Sequence, residues 1–458
     1  MLLLVALVLS AGCLRADDWL RFRGPNGTGV SAERGLSGDL SPAKRLWRVA
    51  VAPGHSSPVV RGDRIFLTGI EDDRLVTFCL RRKDGALLWK KEAPRARREI
   101  FDKRNNAASP TVTAEDGNLY VFFPEFGLLS YTVEGKERWR LPLGPFDNFY
   151  GMGASPIVAG DNIILICDQS RGSFAVGVGK EDGKVKWRQA RAEAVSGHST
   201  PVVYRKGQGP LTVLAPGSFR MDAYQASTGE LLWHAKGLAS EMKSVPVVDG
   251  DRIYINGYNL PENDPGRQIP VSPFAEMIRY DRNANGGLEK EEMPEGRAKS
   301  FFEYLDLNRD QKLDGEEWQL FAQGMAAENS LLAIEPGGKV VWKVHRAIPQ
   351  LPSTLLYEGV LYMISDGGIL STLDPKDGAL HKQGRLRAAP DRMYASPVAG
   401  DGKIYFVTQA GVAVVMAAGP EQRTLSVADL EEEVYATPAI SGGMIFIRTS
   451  QALHAFRP

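Results

Sequence analysis

Apolar residues along the chain come in short runs, either alternating with polar residues or filling several consecutive positions, and Gly, Asp or Asn often separates one run from the next. Such runs are typical of β-strands joined by tight turns. Eight of them share a phrase in which Ser-Pro, or a close variant, precedes an apolar strand, as in SSPVVRGDRIFLTG at 56–69 and ASPIVAGDNIILICD at 154–168. The recurrence predicts eight copies of one all-β unit.

The Pro position of each copy measures the length of the repeat. It falls at residues 58, 110, 156, 201, 246, 354, 397 and 438, with Thr354 in place of Pro. Successive steps are 52, 46, 45, 45, 108, 43 and 41 residues, so one interval is about 60 residues too long. We therefore expect an insertion within the fifth unit.

A second phrase lies between the copies and places Gly four residues before Trp. It ends at Trp89, Trp139, Trp187, Trp233 and Trp342. The Gly suits the positive φ of a tight hairpin turn, and the following strand carries a large aromatic side chain that is expected to pack between neighbouring units. Each unit then contains four strands in roughly 40–50 residues, which is typical of a propeller blade. The predicted fold is an all-β, eight-bladed β-propeller of four-stranded blades.

The two ends of the chain are expected to share one blade. The last unit stops at LHAFRP without the Gly-x-x-x-Trp phrase, whereas LWRVAV, which contains Trp47, precedes the first unit. We infer that this N-terminal strand completes blade 8 and closes the ring, which removes exposed sheet edges. Blades 6 and 7 depart from the pattern, because KDGALHK has His381 and Lys382 near its end and TLSVADL has no Trp.

The inserted segment contains two stretches with the spacing of EF-hand calcium loops, DRNANGGLEKEE at 281–292 and DLNRDQKLDGEE at 306–317. The predicted calcium ligands are Asp281, Asn283, Asn285, the Gly287 carbonyl, Glu289 and Glu292 in the first loop, and Asp306, Asn308, Asp310, the Lys312 carbonyl, Asp314 and Glu317 in the second. Gly286 suits the sharp turn of the first loop, whereas the second has Gln311 there, at a position that favours a positive φ.

Apolar residues at helical spacing flank the loops, and Leu288 and Leu313 stand at the eighth loop position, where paired hands form a short β contact. One helix of about a dozen residues is expected to serve both loops. We therefore predict a small α-helical EF-hand pair that binds calcium as a folding clip rather than as a sensor. The alternative is that the acidic loops are solvated turns.

The start of the chain, MLLLVALVLSAGCLRA, is typical of a secretory signal peptide and is too short for a membrane span. The predicted organisation is a signal peptide at 1–16, a lead segment at 17–45, blades 1–5 at 46–261, the EF-hand pair at 262–326, and the rest of blade 5 with blades 6–8 at 327–458. Export to the periplasm or the extracellular space is expected, with no transmembrane segment after signal removal. A lipid anchor at Cys13 is the alternative.

Charge and cysteine content limit the function classes. Lys and Arg total 55, as do Asp and Glu, and no long run of one sign is present, so a nucleic-acid partner is not expected. Cys79 and Cys167 fall in different predicted blades and are expected to be buried, unpaired residues. A monomer is expected.

The repeat phrases STGELLW at 227–233 and EDGKVKW at 181–187 resemble the repeat of PQQ-type propellers, which is also found in BamB. WLRFRGPNGTGVS at 19–31 is similar to the start of exported bacterial propellers of this group, some of which carry EF-hand insertions. The resemblance implies the fold and leaves the activity open. The PQQ-dependent alcohol dehydrogenases place adjacent cysteines beside the cofactor, and this chain has no Cys-Cys pair, so calcium is the expected cofactor and PQQ is not.

One register of the repeat suggests a binding site. The residue three before the Pro position enters the inner strand near one mouth of the central channel. The candidate mouth residues are His55, His198, Lys243, Tyr394 and Tyr435, with Arg392 close by. We predict a scaffold that binds a protein or a small ligand at this face of the propeller. One alternative is that these six are ordinary rim residues. The other is that the protein is a channel-sited enzyme such as a PQQ-dependent dehydrogenase, although the sequence contains no recognisable catalytic motif.

Overall fold

The computed structural model describes residues 18–95 and 97–458, so the predicted signal peptide and Cys13 lie outside the described residues. Eight antiparallel sheets of four strands each form the body of the protein. The predicted eight-bladed propeller of four-stranded blades is confirmed.

The strands of the first four blades follow one another in chain order. They are Val59–Arg61, Arg64–Glu71, Arg74–Arg81 and Leu87–Ala93 in blade 1; Thr113–Glu115, Asn118–Phe123, Gly127–Thr132 and Glu137–Pro142 in blade 2; Ile157–Ala159, Asn162–Cys167, Phe174–Gly179 and Val185–Ala190 in blade 3; and Val202–Tyr204, Thr212–Pro216, Arg220–Gln225 and Leu231–Lys236 in blade 4. The short first strand of each blade is the inner one, and the last strand is largely exposed at the rim.

The remaining blades have the same order, with two exceptions in connectivity. Their strands are Val247–Asp249, Arg252–Gly257, Ser330–Glu335 and Lys339–Val344 in blade 5; Leu355–Tyr357, Val360–Ser365, Ile369–Leu373 and Leu380–Arg385 in blade 6; Val398–Gly400, Lys403–Val407, Val412–Ala417 and Thr424–Asp429 in blade 7; and Ala439–Ser441, Met444–Arg448, Ala452–Phe456 and Arg45–Ala50 in blade 8. Blade 5 is interrupted by residues 258–329, and blade 8 takes its outer strand from the N-terminal side of the chain.

The outer strand of blade 8 closes the ring. Arg45–Ala50 pairs antiparallel with Ala452–Phe456, and Trp47 stands opposite Ala455. Sheet pairing therefore joins the two ends of the chain, in the place where the sequence predicted it.

Five tryptophans of the outer strands each bond to the following blade. The indole N–H of Trp139 in blade 2 donates to the carbonyl oxygen of Lys180 in blade 3 at 3.0 Å, and its ring lies over Gly183. Gly183 has φ +68°, and a Cβ there would come within 2.7 Å of the indole. Trp47, Trp89, Trp187 and Trp342 make the same bond to the following blade, at 3.0–3.3 Å. The Gly is thus required both by its backbone conformation and by the Trp of the preceding blade.

A belt of hydroxyl groups links the inner strands around the channel. At seven of the eight junctions a backbone N–H donates to a Ser or Thr hydroxyl of a neighbouring blade at 2.9–3.0 Å. The belt residues are Ser57, Thr111, Ser155, Thr200, Val245, Ser353, Ser396 and Thr437, in blade order. Val245 has no hydroxyl, and at its junction with blade 4 the Ser199 hydroxyl instead donates to the Ser244 carbonyl at 2.6 Å.

The belt corrects the predicted register of blade 2. Its belt residue is Thr111, and Ser109, which precedes Pro110, lies two positions earlier. Pro110 is therefore not the equivalent of Pro58 and Pro156, and the true steps around it are 54 and 44 residues. The Ser-Pro dipeptide is a local resemblance, whereas register is set by bonds to the neighbouring blades.

The lead segment, which the sequence left without a fold, spans the ring on the far side of the belt. It contains short 3₁₀-helices at Pro25–Gly27 and Pro42–Lys44. Its contacts run around the ring: Trp19 bonds to Val60 in blade 1, Leu20 to Ala114 in blade 2, Asn26 to Val203 in blade 4, Arg23 to Thr354 in blade 6, Ser31 to Ala399 in blade 7 and Glu33 to Gly442 in blade 8. The segment closes this end of the channel.

The insertion in blade 5 forms a small unit with its own core. It contains 3₁₀-helices at Pro261–Asn263 and Ile278–Tyr280, α-helices at Phe274–Met277, Arg297–Ser300, Phe302–Leu305 and Gly315–Ala326, and strands at Leu288–Glu289 and Lys312–Leu313. Leu288 pairs with Leu313, which is the predicted short β contact. The core of the insertion comprises Leu288, Met293, Ala298, Phe302, Leu305, Leu313, Trp318, Phe321 and Met325.

The expectation of one helix of about a dozen residues between the two loops is wrong. The segment instead forms two four-residue helices that meet at Phe301, which has φ −103° and ψ 14°. Pro294 and Gly296 precede the first of them, and Gly296 at the N-cap has extended backbone, so helical structure starts late.

Candidate functional site

The central channel encloses a cavity of about 440 Å³ above the belt. Each blade contributes to its mouth the residue two positions before its belt residue. These eight mouth residues are His55, Ser109, Gly153, His198, Lys243, Leu351, Tyr394 and Tyr435, and all of them line the cavity. The cavity therefore follows the eightfold repeat, while the chemistry differs from blade to blade.

All six predicted mouth residues lie at this cavity. His55, His198, Lys243, Tyr394 and Tyr435 are mouth residues, and Arg392 lines the wall beside Tyr394. Sequence reasoning missed Ser109 because of the register error in blade 2. It also missed Asp102, Arg104, Tyr150, Glu241 and Asp366, which come from the loops that precede or face the inner strands.

Four of the six charged side chains of the lining form two ion pairs. The Arg104 guanidinium Nε lies 2.5 Å from an Asp102 carboxylate oxygen, and Lys243 Nζ lies 2.9 Å from Glu241. Burial raises the pKa of Asp366, and a backbone N–H bond from Met393 and the nearby charge of Arg392 oppose that effect. The three carboxylates and three cations of the lining thus balance.

Glu241 is the most heavily engaged of these carboxylates. It accepts a hydrogen bond from the Ser196 hydroxyl at 2.8 Å and lies 3.3 Å from His198 Nε2. Burial acts to raise the pKa of Glu241, but Lys243 and His198 outweigh it and hold that pKa well below its usual range. Glu241 therefore remains ionised and positions two of the mouth residues.

Aromatic rings cover the opposite side of the mouth. The His55 ring stacks on Tyr435 with centroids 4.3 Å apart, and Tyr394 meets Tyr435 edge to face at 4.9 Å. Burial, with the positive charge of Arg448 adding to it, lowers the pKa of His55 to about 4. The imidazole is therefore neutral at physiological pH.

The belt and the lead segment form the floor. Six belt residues line the cavity: Ser57, Thr111, Ser155, Ser353, Ser396 and Thr437. Phe22, from the lead segment, completes the lining below them. The sequence signal for this placement is the WLRFRGP phrase, in which Phe22 lies between two arginines, but no periodicity marks it as a residue of the cavity.

The insertion stands beside the mouth, over blades 3 and 4. The Tyr304 ring meets Phe149 edge to face at 5.3 Å and lies 6.3 Å from that of Tyr150, which lines the cavity. Arg309 in the second loop pairs with Asp147. Asn259 and Leu260, at the start of the insertion, also line the cavity.

The two predicted calcium loops share one backbone arrangement. Gly286 and Gln311, at the sixth position, have φ +82° and +70°, so the predicted positive φ is present in both. In each loop the first aspartate accepts the sixth-position N–H, at 2.9 Å in the first loop and 3.0 Å in the second. Gln311 carries a side chain in the left-handed region, which costs about 1 kcal/mol relative to Gly.

The twelfth residue of each loop also repeats its contacts. Glu292 accepts N–H bonds from Arg282 and Glu289, and Glu317 accepts the equivalent bonds from Leu307 and Asp314. Each glutamate thus ties the start of its loop to the end, which is the placement that a bidentate ligand requires.

The other predicted ligands of the two loops bond mainly to one another. The side-chain amides of Asn283 and Asn285 donate to Glu289 at 3.0 and 2.9 Å, and that of Asn308 donates to Asp310 at 3.0 Å. Arg171, from blade 3, lies 3.6 Å from Glu317 and 4.0 Å from Asp314. Within 18–95 and 97–458, no group of three or more His, Cys, Asp or Glu side chains is placed to hold a metal ion, so the prediction of calcium binding rests on loop pattern and backbone shape.

The two cysteines in the described part of the chain are free and buried. Cys79 lies in blade 1 and Cys167 in blade 3, and neither lines the cavity. Burial raises the pKa of Cys79 to about 12, so this thiol is not reactive at neutral pH. None of the described helices combines the length and the apolar character needed to cross a membrane.

The fold and the cavity define the class of protein, an eight-bladed propeller with a closed-ended central pocket. The family described as outer membrane protein assembly factor BamB matches residues 38–148, 79–261 and 312–458. The chain belongs to this family. No curated protein matches the chain.

Solved structures share the fold at low identity. BamB from Moraxella catarrhalis is 12% identical, with 90% of this chain and 98% of that chain covered and a TM-score of 0.56. The quinohemoprotein alcohol dehydrogenase ADHIIG from Pseudomonas putida HK5 is 12% identical, with 96% and 80% covered and a TM-score of 0.58. The quinohemoprotein alcohol dehydrogenase from Comamonas testosteroni is 10% identical, with 97% and 81% covered and a TM-score of 0.58. These likenesses concern the fold alone.

Proposed function

We propose that this protein is an exported propeller that binds a small ligand in its central cavity. One observation carries the proposal: all eight blades place a residue at one mouth, seven of them with a side chain, while the lead segment closes the other end. A pocket of about 440 Å³ with aromatic, charged and hydroxyl groups on its walls is typical of a small-molecule site. Because one end is closed and the insertion stands beside the other, the cavity favours a small ligand over a protein segment threaded through the ring.

Release of a retained molecule tests this proposal. The protein is purified without denaturation from the compartment to which it is exported, then denatured, and the released small molecules are identified by mass spectrometry. Wild-type protein should release a molecule that the double variant His198→Ala, Tyr435→Ala does not carry. The variant His234→Ala, which changes an exposed histidine on the outer strand of blade 4, is the matched control and should retain it. Identical extracts from all three proteins would contradict the proposal.

A PQQ-dependent dehydrogenase is the rival function. The family resemblance associates such enzymes with adjacent cysteines beside the quinone, and here Cys79 and Cys167 lie in separate blades outside the cavity lining. The predicted calcium loops also lie in the insertion and not within the ring. Stoichiometric quinone absorbance after addition of PQQ with calcium, together with dye reduction, would favour the rival.

We further propose that the insertion is an EF-hand pair that binds calcium as a structural element. The repeated loop conformation, the two tethering glutamates and the Leu288–Leu313 pair support this. A sensor exposes an apolar groove when calcium binds. In the insertion the apolar side chains, Met293 and Met325 included, are already packed in its core, which supports a folding clip.

The cellular location belongs to the same proposal. Membership of the BamB family and the apolar start of the sequence support export to the periplasm. Lipid attachment at Cys13 is the alternative for the exported form. Mass spectrometry of the mature N-terminus distinguishes a chain that begins near Asp17 from one that begins with a lipidated cysteine.

A further inference from the structure

The protein buries several arginines, and three of them contact the strands that carry the belt. Among the described residues, the almost fully buried arginines are Arg21, Arg23, Arg191 and Arg448. Arg191 is compensated, because its guanidinium lies 2.7 Å from Asp168 and 2.9 Å from Asp222. The other three have no carboxylate within 4.0 Å in the described part of the chain. Burying a charge without a counter-charge is costly, so these three require an explanation.

The three uncompensated arginines lie directly behind the belt. Arg21 donates to the Pro201 carbonyl at 2.5 Å, Arg23 to the Thr354 carbonyl at 3.0 Å, and Arg448 to the Ser56 carbonyl at 3.0 Å. Each acceptor is the immediate neighbour of a belt residue, in blades 4, 6 and 1 respectively. The positive charges therefore approach the floor from three sides of the ring.

These three arginines keep their positive charge at neutral pH. Burial lowers the pKa of Arg21, Arg23 and Arg448 to about 9, so all three remain charged at neutral pH. The cavity wall carries three carboxylates and three cations, so it adds no net charge that would cancel that of the arginines. Burial and the nearby positive charge of Arg448 both lower the pKa of His55, which lines the cavity. The floor is therefore positive in a low-dielectric setting.

The belt supplies directional donors at the same place. Each hydroxyl uses a lone pair to accept its neighbour's N–H and retains its own O–H as a donor. Six of these hydroxyls line the cavity. Hydroxyl and charge together suit an anion with more than one acceptor oxygen, because charge-assisted hydrogen bonds are stronger than neutral ones.

We propose that the cavity floor binds the carboxylate group of a small organic acid. The belt hydroxyls donate hydrogen bonds to the carboxylate, and Arg21, Arg23 and Arg448 supply the compensating charge from behind the belt. The rest of the ligand extends toward the aromatic side of the mouth. This inference rests on the proposed function as a small-ligand site and specifies its chemical class.

Matched probes test the class of ligand. Gluconate and sorbitol share a carbon skeleton and differ in the carboxylate, as do succinate and butane-1,4-diol. Isothermal titration calorimetry with the full chain, in calcium excess so that chelation has no effect, should show the acid binding at least about tenfold more tightly than its neutral partner, which is about 1.4 kcal/mol. Added salt should weaken the binding of the acid only modestly, because the charges are buried.

Two variants locate the effect. Arg448→Met should weaken binding of the acid at least about fivefold and raise the pKa of His55 measured by NMR, while Arg205→Met, on an exposed loop of blade 4, should change neither. If Arg448→Met fails to fold, Thr437→Val is used instead. It removes a belt hydroxyl at nearly constant volume and should also weaken binding of the acid.

The outcomes separate the two proposals. Preferential binding of the neutral probes would overturn the carboxylate assignment and leave the cavity as a small-ligand site. Failure of all four probes at about 10 mM would also overturn the assignment. If the extraction experiment then releases no molecule, the small-ligand function fails with it.

Discussion

Replacing Gly183 by Ala tests whether the Trp of one blade and the Gly of the next act as a single joint. At φ +68° an alanine costs about 1 kcal/mol through its backbone alone. Its Cβ would also lie 2.7 Å from the Trp139 ring, so the indole must move. Overpacking and loss of the bond to Lys180 add about 2 kcal/mol. We expect the free energy of unfolding to fall by about 3 kcal/mol.

Gly160 supplies the matched control within the same blade. It has φ +65°, and a Cβ there would meet only Leu211, at 3.8 Å, which is ordinary contact. Gly160→Ala should therefore cost the backbone term alone, about 1 kcal/mol. Urea unfolding followed by circular dichroism, which does not depend on tryptophan fluorescence, measures both variants.

A double-mutant cycle completes the test. In a Trp139→Ala background the steric term is absent, so Gly183→Ala should cost only about 1 kcal/mol, and the coupling energy should be about 2 kcal/mol. Equal destabilisation by Gly183→Ala and Gly160→Ala in the wild-type background, or a coupling energy of zero, would refute the claim that Trp139 and Gly183 act together.

Three further predictions concern ions, buried charge and pH. Chelator should lower the melting temperature of the wild-type protein and leave the double variant Glu292→Gln, Glu317→Gln unchanged; equal responses would contradict the calcium clip. Arg191→Met leaves two buried aspartates without their partner and should cost about 3–5 kcal/mol in urea unfolding, against less than about 0.5 kcal/mol for the exposed Arg205→Met. Burial lowers the pKa of His454 to about 4 from 6.5, so its contribution to stability is complete above pH 6.5 and is lost as the pH falls toward 4; His454→Gln should flatten stability over that window, and an unchanged slope would contradict this.

The fold could be predicted from the sequence because the repeat phrase contains the residues that form each blade, namely the Gly of the turn and the Trp of the outer strand. Gly183 and Trp139 each satisfy a local rule and also fit one another across the blade boundary, so the phrase could be recognised before the contact was known. Trp47 identified the closing strand for the same reason.

The register of blade 2 could not be predicted in this way. Ser109 and Pro110 imitate the local phrase, but only the bonds from Ser57 and Thr111 to their neighbours define the belt. A shift of two residues keeps the same faces of a strand, so the hydrophobic pattern does not expose it.

The candidate site was predicted in part. The mouth residues follow the repeat and were found from it, whereas Glu241, Asp366 and Arg104 come from irregular loops that share no phrase. The lead segment was missed because burial of its arginines depends on carbonyl acceptors in distant blades, and charged residues ordinarily indicate exposure.

The pairing of Arg45–Ala50 with Ala452–Phe456 has a consequence for synthesis. The ribosome makes this strand before the other strands of the blades, yet its hydrogen-bonding neighbour emerges more than 400 residues later. Until then its edge is available to any other unpaired strand, which is a known route to aggregation. A truncation that removes Ala452–Phe456 would thus also leave Arg45–Ala50 without its hydrogen-bonding partner.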